Sequence, residues 1–133
     1  MFDDIASNIW PIAGLESAHR VMKSNPPRLV LVSYTTHWCT RCHAVAARLV
    51  ETSRLLGTDD KASSIVLASV NIGDPRNSRM LEQQGILAFP RQKVFWRGHL
   101  VVGDFPIHQE TKAKEIADEL VALRHHLVST DAP

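Results

Sequence analysis

Hydrophobic positions along the chain fall into eight segments that switch between helical and extended periodicity. From Leu15 to Lys23, the residues Leu15, Ala18, Val21 and Met22 form one helical stripe, and Asn25-Pro26-Pro27 stops it because proline cannot continue a helix. Arg28 to Tyr34 contains the unbroken run Leu29-Val30-Leu31-Val32, which predicts a central strand buried on both faces of a parallel sheet. From Cys39 onward, Cys42, Val45, Ala46, Leu49 and Leu56 recur at threes and fours, so a helix starts at Cys39 and runs towards Gly57. Ser64 to Ile72 reads as a second buried strand through Ile65-Val66-Leu67-Ala68, after which Asp74-Pro75 supplies an N-cap and a first-turn proline for a helix that Gly85 closes. Two strands, Gln92 to Trp96 and His99 to Phe105, join through the Arg97-Gly98 turn. The last element is a helix from about Gln109 to Val128. Its buried stripe is Ile116, Leu120, Leu123 and Leu127, with Lys112, Lys114, Glu115 and Glu119 on the solvent side.

This order predicts an α/β fold, a βαβ half followed by a ββα half, around one mixed sheet of four to five strands flanked by helices. Apart from Pro26-Pro27, Gly and Pro fall singly between segments and no repeat or linker interrupts them, so residues 1–133 read as one domain with its core over about 9–127. With 133 residues and 44% of them apolar, the chain can build an ordinary core, and disorder is excluded. The net charge is +1 and neither sign clusters, which argues against nucleic-acid binding and against a polybasic membrane anchor. No segment approaches the roughly 18 to 20 apolar residues that a membrane span needs. Asp3 and Asp4 beside Met1, with no apolar run behind them, are the reverse of a secretory leader, so a cytoplasmic, monomeric protein is the expectation.

The two cysteines, Cys39 and Cys42, change this picture most. They are too few for a disulfide-stapled scaffold, and no second pair sits at zinc-finger spacing, although a Cys2His2 site using His37 or His43 remains open by counting alone. One helical turn separates their sulfurs, close enough to bridge without unwinding the helix. At a first turn, unpaired backbone N–H groups and the positive end of the helix dipole stabilise a thiolate, and Arg41 adds a fixed positive charge. His43, four positions from Cys39, could tune that thiolate or simply be solvated. The plain alternative for the pair is two small inert core residues.

Trp38-Cys39-Thr40-Arg41-Cys42 at a strand–helix junction, with Ala88-Phe89-Pro90 just before the hairpin and Pro90 standing 48 positions after Cys42, resembles the thioredoxin superfamily. The likeness spans roughly Ile9 to Leu127 and includes Asp74-Pro75 and Gly98. It implies a thioredoxin-like fold and a thiol–disulfide oxidoreductase, with Cys39 the exposed nucleophile and Cys42 the resolving thiol. It also implies a platform from Trp38, a cis Phe89-Pro90 bond, and a Phe89 backbone turned out to pair with an extended substrate. The expected partners are protein disulfides or thiols, with a reductase or glutathione as electron donor. No dissociable cofactor and no metal is implied.

Several positions depart from ordinary thioredoxins. The buried acid expected six positions before the first cysteine is Ser33, and its companion lysine aligns with Ser69, so a charged pair is replaced by two hydroxyls. Thr40-Arg41 replaces the usual Gly-Pro, and charge there favours the reduced thiolate. A reduction potential above thioredoxin's value of about −270 mV, nearer the disulfide-isomerase value of about −180 mV, is the expectation. Arg91 follows the proline and could attract acidic segments, Pro106 stands in place of a glycine, and the stretch from Gly57 to Ser63 is longer than in a minimal thioredoxin. Two other readings stay open: a redox-inactive binding or chaperone-type module on the same fold, and a glutathione-dependent transferase, against which Trp38 and Arg41 count.

Overall fold

The computed structural model describes residues 9–23, 27–57, 64–86 and 88–130. Among these residues ten elements follow one another: β1 (Ile9–Ile12), α1 (Gly14–Met22), β2 (Leu29–Thr35), α2 (Thr40–Leu56), β3 (Ile65–Asn71), a 3-10 turn (Pro75–Asn77), α3 (Ser78–Gln84), β4 (Arg91–Trp96), β5 (His99–Val102) and α4 (Ala113–Thr130). The sheet has five strands in the order β1-β3-β2-β4-β5. β3 runs parallel to both β1 and β2, while β4 runs antiparallel to β2 and β5. The mixed βαβ and ββα architecture is therefore the one expected.

The alternation of side chains along β2 sorts the core into two layers. Leu29 and Leu31 pack with Val45, Leu49, Leu67, Val94, Ile116 and Leu120 beneath α2 and α4. Val30, Val32 and Tyr34 face the other way, against Ala18, Val21 and Met80 of α1 and α3. All seven residues of β2 are buried. The strand is paired on both edges and covered on both faces, which is why its sequence carries no polar alternation.

Four boundaries differ from the sequence expectation. β1 lies outside every segment read from periodicity, because four residues buried in the pattern in–out–out–in match neither a strand alternation nor a continuous run. Its Pro11 is tolerated because β1 is an edge strand. β5 stops at Val102, although Phe105 still donates its N–H to Gln92 O at 2.9 Å and enters the core. α4 begins at Ala113: residues 108–111 form a turn in which Thr111 Oγ1 accepts the His108 N–H, and Lys112 N–H is capped by Glu115 Oε1. Asp74 accepts the Arg76 N–H as expected of a cap, but what it opens is the 3-10 turn that precedes α3.

Gly85 closes α3 at φ 61°, a left-handed conformation that favours glycine. Arg97 and Gly98 both take positive φ, 54° and 79°, as a tight two-residue hairpin requires. Asn77, fully buried, accepts the Gly14 N–H at 2.8 Å and donates to Asn71 O at 2.9 Å and Ile12 O at 3.4 Å. It ties β1 and α1 to the end of β3. Of the Gly57–Ser63 stretch, residues 58–63 lie outside the described residues, as does the Asn25-Pro26 part of the α1 stop.

Candidate active site

β2 ends at Thr35 and Thr36 follows it, both buried, and their carbonyls fix the turn into α2: Ile72 N–H donates to Thr35 O at 2.9 Å and Cys39 N–H to Thr36 O at 3.4 Å. Cys39 is the N-cap of the 17-residue α2, with φ −105° and ψ 114°. Its Sγ accepts the Cys42 N–H at 3.2 Å, taking up one of the first-turn donors that have no partner within the helix. Cys39 and Cys42 form a disulfide, their Cα atoms 5.2 Å apart. Cys42 is fully buried, whereas Cys39 is partly exposed. The two cysteines thus differ in exposure to solvent.

Trp38 stands 72% exposed beside the pair and meets the Phe89 ring edge-on, with centroids 5.0 Å apart. The Phe89–Pro90 peptide bond is cis. Thr40, Arg41, Phe89 and Pro90 line one groove of about 650 Å³ with Pro106. His43 does not join it. Its Nε2 lies 2.6 Å from His37 O, and since a carbonyl only accepts, Nε2 is the donor. That contact clasps the loop before Cys39 to the first turn of α2. Arg91 is absent from the groove lining, so the position expected to attract acidic segments is not where the groove carries its charge.

Ser33 is fully buried, on the same side of β2 as Leu29 and Leu31 and so under α2. In register with it stand Ser69 on β3 and Gln92 on β4. Gln92 Nε2 donates to Ser33 Oγ at 3.4 Å. The row beneath the helix that carries Cys42 is therefore polar but uncharged. Gln92 escaped the sequence reading because a lone glutamine in a strand gives no chemical signal; only cross-strand register with Ser33 reveals it. Arg48, Asp104 and His108, which also line the groove, were missed for a related reason, since nothing along the chain places them beside one another. On the opposite face, Tyr34 donates its hydroxyl to Gln84 Oε1, and burial pushes its phenol above the ordinary value of 10. Arg76 holds the Asp74 carboxyl below its usual range through side-chain and backbone hydrogen bonds. Among the described residues, no three His, Cys, Asp or Glu side chains gather as metal ligands.

A Cys-x-x-Cys pair capping a helix after the central strand of this mixed sheet defines the thioredoxin-type thiol–disulfide oxidoreductases. The chain belongs to the thioredoxin family, whose model matches residues 15–122. It is 26% identical over 117 residues to a protein disulfide-isomerase of Hordeum vulgare, covering 74% of this chain and 22% of that protein. To a protein disulfide-isomerase of Triticum aestivum it is 32% identical over 69 residues, covering 52% of this chain and 13% of that protein. The chain thus spans less than a quarter of the length of these relatives. Among solved structures, thioredoxin from Trypanosoma brucei brucei superposes with a TM-score of 0.69 at 13% identity over 92% of this chain and 96% of the other. The first thioredoxin domain of mouse protein disulfide-isomerase A4 gives 0.67 at 17% identity, over 91% of this chain and 81% of the other.

Proposed function

We propose that the chain is a protein disulfide oxidoreductase in which Cys39 attacks and Cys42 resolves. In the reduced protein the Cys39 thiolate attacks one sulfur of a substrate disulfide. The substrate S–S bond breaks, one substrate thiolate leaves, and a mixed disulfide with Cys39 forms. Cys42, deprotonated in turn, attacks Cys39 Sγ and expels the second substrate thiolate, so the substrate gains two electrons and two protons while Cys39 and Cys42 become the disulfide. An external dithiol or glutathione reduces the pair again, or, with substrate thiols in excess, the same steps run in reverse. Trp38, Phe89 and Pro90 serve as the platform on which the substrate chain lies, the Phe89 backbone pairing with it as a short added strand.

The observation that carries this reading is Cys39 Sγ at the N-cap of α2 with the Cys42 N–H aimed at it. A thiolate at that point gains a charge-assisted hydrogen bond and the positive end of the helix dipole. The charge of Arg41 adds to the same preference for the reduced, ionised form, which supports a potential above that of thioredoxin. Accelerated reduction of insulin by dithiothreitol, abolished in Cys39→Ser, tests the activity; no acceleration by the unaltered protein would leave a binding module on a redox fold. Equilibration with glutathione buffers tests the potential, and a value at or below thioredoxin's would refute the oxidising character.

A further inference from the structure

The groove beside the disulfide extends well past the pair. It runs along α2 through Arg41, Ala44, Val45 and Arg48, and is closed on the far side by residues 104–109. Positions 41, 44, 45 and 48 are spaced at three, four and seven, so they share one helix face. Its middle is apolar, from Ala44, Val45, Phe105 and Ile107, and its helical rim bears two guanidinium groups. Arg41 is exposed and has no ion-pair or hydrogen-bond partner among the described residues. Among the described residues the Arg48 side chain has only Glu51, at 3.7 Å between partly exposed side chains, a contact too weak to occupy it. Asp104 is the one acid among the lining residues.

We propose that this groove selects disulfides in polypeptides whose reacting cysteine is flanked by acidic side chains, with Arg41 and Arg48 as specificity determinants. The proposal rests on the oxidoreductase reading above. Seven helical residues place the two arginines about 10 Å apart along α2. An extended chain covers that distance in about three residues. A substrate joined to Cys39 therefore meets Arg41 with an acidic side chain close to its cysteine and Arg48 with one about three positions further on. Pro90 and Pro106 have no N–H, so at these two positions the opposite wall offers no backbone donor to the substrate. Discrimination falls to the charged rim, where guanidinium forks bind carboxylates in two-pronged fashion.

The test uses the full chain, pre-reduced, and three peptides with one internal disulfide followed by Asp-rich, Asn-rich or Lys-rich segments of equal length. The expected rate order is acidic, neutral, basic. Acidic and neutral peptides should differ roughly fivefold, mostly in KM, and the difference should shrink between low and physiological salt. Arg48→Glu, which leaves the residues nearest the sulfurs in place, should abolish or invert the order. Arg79→Glu, an equal charge change on exposed α3 away from the groove, should preserve it. Equal rates for the three peptides, an order that survives Arg48→Glu, or one lost equally in Arg79→Glu would overturn the specificity while turnover persists. Failure to reduce any of the peptides, together with bis(2-hydroxyethyl) disulfide, would instead overturn the oxidoreductase reading and the proposal with it.

Discussion

Replacing Ser33 by Asp restores a carboxylate to the uncharged row under α2, and the consequences can be worked from its neighbours. Ser33 is fully buried, and its cross-strand partners are a hydroxyl on Ser69 and an amide on Gln92, so no cation in that row compensates a charge. Burial of this kind raises a carboxyl pKa by roughly 3 units or more above its usual value near 3.9, with the Gln92 N–H donor offsetting part of the shift. The native state then holds the proton to a higher pH than the unfolded chain does. Stability consequently falls as pH rises from about 4 to about 7 and levels off beyond the native pKa, a loss of about 4 kcal/mol at 1.36 kcal/mol per unit. Urea unfolding of Ser33→Asp and the parent at pH 4, 5.5 and 8 measures this. Above its native pKa the new carboxylate can accept the Cys42 proton, and such a base typically accelerates a step by about 10² or more. Release of a preformed mixed disulfide at Cys39 should therefore quicken at least roughly tenfold at pH 8. A variant that shows the pH-dependent instability, and so does bury its carboxylate, yet releases substrate at the parent rate would refute the idea that the missing acid slows resolution.

Other expectations follow from the same geometry. Cys42→Ser should accumulate a mixed disulfide at Cys39 visible by mass spectrometry, while Cys39→Ser should form none; trapping through Cys42 instead would reverse the two roles. Asn77→Ala should cost roughly 2–4 kcal/mol, since it strands the Gly14 N–H and two carbonyls at the junction of β1, α1 and β3; a loss under about 1 kcal/mol by chemical denaturation would show that the tie is replaceable. Tyr34 is the only tyrosine, and its native pKa is raised, so its contribution is present below pH 10 and is lost as pH rises above the unfolded value. The stability difference between the parent and Tyr34→Phe should therefore shift against the parent from pH 9 to pH 11, and an unchanged difference would contradict that assignment.

What could be read in the sequence follows the physical strength of each signal. β2 and β3 announced themselves because both faces of each are covered, leaving unbroken runs of aliphatic residues. α2 was legible from a stripe that includes Cys42 itself, and Gly85 and Arg97-Gly98 from backbone conformations that few other residues adopt. β1 was not, because four edge residues containing a proline carry no period. Asn77 shows no sign of its three bonds along the chain, since two of them join residues more than sixty positions away. The sulfur pair and its helix were visible from Trp38 to Cys42, and Phe89, Pro90 and Pro106 from the resemblance, but the charged part of the groove beyond Arg41 was not. Residues 104–109 curve beside α2 without regular structure, and only the folded chain brings Asp104 and His108 opposite Arg41 and Arg48.

The sulfurs follow directly on β2, the strand with the most neighbours to lose. Its amides can exchange with deuterated solvent only when the sheet itself comes apart, whereas β1 and β5, bonded along one side each, can fray independently. Damage to either margin of the sheet should therefore leave the spacing of Cys39 and Cys42 untouched long after the margins have softened. The sulfur chemistry should persist in molecules already opened along β1, whereas opening along β5 also loosens the groove wall that follows it at residues 104–109.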